Sequence, residues 1–211
     1  MSIERRVISQ GEFRAESNGD KRTIGGYAAV FDQLSPEYYG FREQIAGGAF
    51  KSSLKNDIRA LWSHNPDFVL GRTTSGTLQL EEDSTGLKFS LDLPDTSTGR
   101  DVFELISRGD VTGMSFGFRV KKESWKFSEK KGEPDVRTLE EVDLIEVSPV
   151  AFPWYPTTEV GVREMRDAHE KARMDHYRSI GKPEELAKKM LNLKFLELDL
   201  AASAPSRENR R

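Results

Sequence analysis

The chain contains no cysteine, which removes thiol nucleophiles, disulfide frameworks and thiolate metal sites together. Histidine is scarce as well: His64, His169 and His176 are the only three, too few at ligand spacing for a metal enzyme. No run of about 18 apolar residues occurs, which excludes a membrane-spanning helix. The opening stretch MSIERRVISQ lacks the apolar segment of a secretory leader, so none is expected. A net charge of -3 gives no general pull toward nucleic acid. Neither nucleic acid nor a membrane is therefore an expected partner, and no internal repeat is visible.

What is present is a chain of 211 residues, long enough to bury one good core with a helical appendage. Residues up to about 160 are rich in glycine, β-branched and aromatic residues, with frequent turn signals. TIGGYAAVFD, DIRALWSH, GTLQLEED, GLKFSLDL, VTGMSFGFRVKK and VRTLEEVDLIEVSPVAF read as short strands. Leu78 and Leu80, then Leu87, Phe89, Leu91 and Leu93, alternate with polar residues across a hairpin loop, EEDSTG. Two stretches read as helix. GGAFKSSLKN is short, and STGRDVFELISRGD offers Thr98 as N-cap, an apolar stripe at Val102, Leu105 and Ile106, and Gly109 past the end. Mainly β structure with a few surface helices predicts a barrel or a folded-over sheet.

Beyond Pro156 the character changes. TEVGVREMRDAHEKARMDHYRSI is a charged helical stretch broken at GKP, and EELAKKMLNLKFLELDLA carries Leu186, Met190, Leu193 and Leu200 near one face. His169 and His176, seven apart, share a face of this charged helix and read as solvated and structural. The end, SAPSRENRR, reads as disordered. Such an amphipathic tail either packs on its own domain or serves as a docking or removable segment.

Gly113-Met114-Ser115-Phe116-Gly117 spells G-x-S-x-G, the pattern of a hydrolase nucleophile elbow. An elbow needs a helix after the serine, whereas FGFRVKKESWKF alternates like a strand, and the chain lacks repeating strand–helix units. The elbow is rejected, and with it a small-ester hydrolase. Taken alone, a serine between glycines in a strand is explained by close backbone approach. Chemistry at Ser115 requires a base and a group to orient it. His64, at the end of an apolar strand before the turn signal Asn65-Pro66, is the candidate base. Glu146 lies inside a strand, where Leu144, Glu146 and Ser148 share one face. A carboxylate there needs a cation or hydrogen bond. That partner is a histidine on one reading; on the other it is Arg137 or Arg119, which makes Glu146 purely structural.

In order along the chain, GGYAAVFD, FREQIAGGAF, LWSHNPDFVLGRT, EEDSTGLKFSLDLPDT, VFELISRGDVTGMSFGF and LIEVSPVAFPWYPTTEV resemble the prohead maturation proteases of tailed bacteriophages. That family is related to the herpesvirus capsid protease, assemblin. The resemblance implies an assemblin-like β-barrel core wrapped by helices, covering residues 1–163, followed by a charged helical C-terminal segment, 164–211, that docks or is self-cleaved. It implies a serine endopeptidase that needs no cofactor or metal. Its targets would be the major capsid protein with its scaffold segment, and itself, inside the assembling prohead in the host cytoplasm. By the matching motifs, His64 takes the place of the base, Ser115 the nucleophile and Glu146 the acidic third member, where herpesvirus enzymes use a second histidine. Self-association is a further expectation. The competing expectation is a non-catalytic capsid assembly scaffold protein with the same barrel.

Overall fold

The structure is a computed structural model that describes residues 3–8, 14–19, 21–130, 133–152 and 159–181. Ten strands and two helices follow in the order β1 (Glu4–Ile8), β2 (Arg14–Asn18), β3 (Lys21–Val30), β4 (Phe41–Ile45), β5 (Arg59–Trp62), β6 (Asn65–Arg72), β7 (Leu78–Glu82), β8 (Gly86–Asp92), α1 (Ser97–Ser107), β9 (Gly113–Lys126), β10 (Asp135–Val150) and α2 (Glu159–Ser179). No described helix is long and apolar enough to cross a membrane. The chain divides into two compact units: Met1–Gln33, Gln44–Ser124 and Thr138–Thr157 form the first, and Leu34–Glu43, Trp125–Arg137 and Thr158–Arg211 the second.

The first unit holds the alternating strands. One sheet runs β1-β9-β10-β5-β6, with β4 beside β10, and a four-stranded sheet runs β2-β3-β8-β7. Ile24, Leu78, Leu87, Phe89 and Leu91 from the smaller sheet join Ala60, Leu70, Met114, Phe116, Leu144 and Val147 from the larger one in a single buried cluster. Val102 and Ile106 of α1 complete it, as their helical spacing predicts.

Among the described residues neither sheet closes, which corrects the expected barrel. Closure needs the first and last strands to pair, whereas the larger sheet ends at β1 and β6 and the smaller at β2 and β7. Two of these end strands are poor templates. RAESN of β2 is polar and mostly exposed, and β6 carries Pro66, which cannot donate to a ladder.

Two local expectations also change. The stretch 47–56 is a run of turns rather than a helix: Ala49, Lys51, Ser53 and Asn56 donate to the carbonyls three residues back. Gly48 sits at φ +92°, outside helical space, and Ser53 Oγ bonds the β10 backbone at Val142 and Leu144. Helix α1 starts earlier than expected, because Thr96 rather than Thr98 adopts the extended N-cap conformation and accepts from the Gly99 N–H at 3.1 Å. Its other end follows the sequence, with Gly109 at φ +79° just past the C-cap.

In the second unit, His169, Arg173 and Tyr177 recur every four residues along α2 and are buried. His169 is 1% exposed, which corrects its expected solvation. Its ring stacks on Trp125 at 5.1 Å, and its Nε2 meets Asp135 Oδ2 at 2.7 Å. Arg173 donates to the same carboxylate oxygen. Half-buried His176 stacks on Phe127 at 4.7 Å. Aromatic side chains on the 125–127 strand end therefore recruit both histidines from solvent. The expected second helix, from residue 184, lies outside the described residues.

Candidate active site

His64 belongs to a two-residue turn of the first unit. β5 and β6 pair antiparallel with Trp62 opposite Asn65, leaving Ser63 and His64 as the two turn residues. Their φ values are +50° and +62°, the positive signs that a type I′ hairpin turn requires at both central positions. The turn therefore lies two residues earlier than the Asn65-Pro66 signal suggests, and His64 is its corner rather than the end of the strand.

β10 runs parallel to β5, with Glu146 opposite Arg59 and Val147 opposite Ala60. This register carries the hairpin to the C-terminal end of β10, where the Ser63 N–H donates to the Pro149 carbonyl at 3.1 Å. The His64 N–H donates to Ser148 Oγ at 3.2 Å. The imidazole then reaches back along β10, and Nδ1 lies 2.7 Å from Glu146 Oε1. The other carboxylate oxygen, Oε2, accepts the Ser148 hydroxyl at 2.5 Å. Arg137 pairs instead with Glu43 at 2.9 Å, and Arg119 with Asp143 at 3.5 Å. Of the two readings open at Glu146, the structure has the histidine. A carboxylate oxygen that accepts here requires the proton on Nδ1, and in the neutral form of that imidazole Nε2 is the nitrogen with a lone pair.

Ser115 lies on β9, fully buried. The position of Gly117 shows which way it faces. A Cβ on Gly117 would stand 2.4 Å from Glu146 Oε1, so the carboxylate occupies the face to which residue 117 points. Side chains two apart on a strand share a face, and Ser115 therefore points to the side of the sheet that holds Glu146 and His64. Its hydroxyl donates to the Arg6 carbonyl of β1 at 2.9 Å, where Val7 pairs with Ser115. No hydrogen bond links Ser115 to His64 among the described residues. Among them, too, no group of three or more histidines and carboxylates could hold a metal ion.

The arrangement thus supplies an imidazole oriented by a buried carboxylate, and a hydroxyl on the same sheet face. Sequence reasoning had this histidine, serine and glutamate as candidates. It missed Ser148, whose signal was its two-residue spacing from Glu146, and it missed the left-handed turn, because Ser-His is not a typical turn pair.

The profile of the family described as caudovirus prohead serine protease matches residues 9–173. The prohead protease of Enterobacteria phage HK97 is 28% identical over 152 residues, which are 69% of this chain and 62% of that protein. The chain thus spans less than two thirds of the length of this curated relative. The structure of the bacteriophage T4 capsid assembly protease aligns with a TM-score of 0.44 at 9% identity, covering 72% of this chain and 99% of that one.

Proposed function

Since the chain belongs to the caudovirus prohead serine protease family, we propose that it is a serine endopeptidase that cleaves the scaffold segment and major capsid protein, and itself, within the assembling prohead in the host cytoplasm. One observation carries the assignment of roles: the 2.7 Å contact between His64 Nδ1 and Glu146 Oε1 on the sheet face that Ser115 shares. In this reading the Ser115 hydroxyl turns from the Arg6 carbonyl toward His64. Nε2 takes its proton as Oγ bonds to the scissile carbonyl carbon, and the carbonyl π electrons move to the oxygen. The imidazolium, stabilised by Glu146, gives that proton to the amine as the C–N bond breaks, leaving an acyl-enzyme. Water, deprotonated by His64, attacks the ester and releases the acid, and Ser115 recovers its proton.

The segment 164–211 is assigned a docking role toward the scaffold portion of the substrate, or removal by self-cleavage. The full chain and its Ser115→Ala variant, each incubated with the major capsid protein and followed by intact mass, test the function. Fragments are expected from the wild type alone, with the variant slower by at least about a thousandfold. Intact capsid protein in both samples, with shells assembled, would favour a non-catalytic assembly protein.

A further inference from the structure

Ser148 is fully buried in β10 and makes contacts on two sides. A serine hydroxyl has one proton to give and two lone pairs to receive with. Here the proton goes to Glu146 Oε2 at 2.5 Å, and a lone pair receives the His64 backbone N–H at 3.2 Å. Glu146 returns to the His64 ring through Oε1. Three residues thus form a closed loop: His64 main chain to Ser148, Ser148 to Glu146, Glu146 to the His64 ring.

The loop constrains two things that would otherwise vary. Without Ser148, Oε2 of a buried carboxylate would lack its partner, and the carboxylate would be free to rotate away from the imidazole. The His64 backbone also sits at φ +62°, a conformation uncommon outside glycine although more accessible to histidine than to β-branched residues, and one that a constraint from its surroundings helps to hold. The Ser148 bond to the His64 N–H supplies such a constraint, from the residue that also anchors the carboxylate.

We infer that Ser148 is a positioning residue of the proteolytic site, holding the Glu146 carboxylate and the His64 main chain in one register so that Nε2 keeps a fixed direction. The inference rests on the protease reading above, and extends it to a residue that does not touch substrate. A general structural serine would affect folding alone, whereas this one acts through Glu146 and the His64 main chain.

The test uses the full chain, the major capsid protein as substrate, and the variants Ser148→Ala, Glu146→Gln and the pair combined, with Ser115→Ala as the inactive reference. Ser148→Ala removes one oxygen without adding bulk, and thermal unfolding confirms that each variant is folded. We expect kcat to fall about tenfold in Ser148→Ala with KM nearly unchanged, the loss of one hydrogen bond to a charged group. The double variant should lose less than the two single losses combined, because part of what Ser148 does passes through Glu146. The nitrogen-bound proton of His64 Nδ1, followed by NMR, should shift in Ser148→Ala. Wild-type kcat and an unmoved proton resonance in folded Ser148→Ala, with the wild type active, would overturn the inference and leave the protease reading standing. Cleavage losses that add in the double variant would also overturn it. An inactive wild type would remove the protease reading and this inference with it.

Discussion

Gly117 is defined by the atom it lacks. Its missing Cβ makes room for the Glu146 carboxylate, which would otherwise meet it at 2.4 Å. Real Cβ atoms do not approach that closely, so Gly117→Ala must push the carboxylate from its place beside His64. The expected outcome is a loss of about 1–3 kcal/mol in stability from overpacking, read by urea denaturation, together with a fall in kcat. Full activity in Gly117→Ala would show that the carboxylate position is dispensable. At this scale the sequence was legible where chemistry restricts residue type: with three histidines and no cysteine, His64 and Ser115 stood out. Ser148 did not, because a small polar residue in a strand looks the same whether it fills space or orients a carboxylate. The sequence excluded an elbow turn at Gly117, but it could not show that the space belongs to the Glu146 carboxylate.

The β5–β6 hairpin carries His64 at one end and is tied at the other by charge. Asp57, just before β5, accepts Arg72 Nε at 2.6 Å and Nη2 at 2.5 Å, and Arg59 lies 3.2 Å away. The Arg72 hydrogen bond, foremost among several influences, holds the Asp57 carboxyl down at about 2. A carboxyl lowered by folding stabilises the fold in its ionised form. The contribution is therefore complete above about pH 4, the ordinary aspartate value, and disappears as the pH falls through about 2. Arg72→Ala should return the Asp57 titration to the ordinary range, measured by carboxyl carbon NMR. An unchanged midpoint would mean that Arg72 does not set it. β6 is mostly exposed and was not read as a strand, so of the hairpin only β5 was readable, from the apolar run in DIRALWSH. The turn was not, since Asn65-Pro66 is the stronger local signal and the parallel β5–β10 register that places Ser63 and His64 is a tertiary effect.

Across the whole molecule, the mainly β organisation was legible from alternation, because one buried face per strand leaves a period of two. Sheet closure was not, since it depends on edges meeting through space. The burial of His169 escaped too: in a charged helix, nothing local marks a residue that stacks on Trp125. In the second unit, Asp135 is fully buried and depends on Arg173, itself 4% exposed. Burial alone would lower the Arg173 pKa, but the Asp135 bond and charge outweigh it and hold it above its usual value. Arg173→Ala removes this guanidinium from the buried carboxylate and should cost about 3 kcal/mol, seen as reduced urea stability and lost amide-exchange protection along α2. Unaltered protection would show that the ion pair does not hold the helix. The Ser63-His64 turn sets a different limit on the chain as a whole. The residues that suit its two positive φ values best are asparagine and glycine, and glycine at the second position would erase the imidazole. Selection for a sturdier fold and selection for turnover therefore pull this corner in opposite directions. If His64 is the base proposed above, stabilising libraries screened on melting temperature alone would be drawn to position 64 and return inert proteins, so thermostable forms of this chain would have to gain their stability elsewhere.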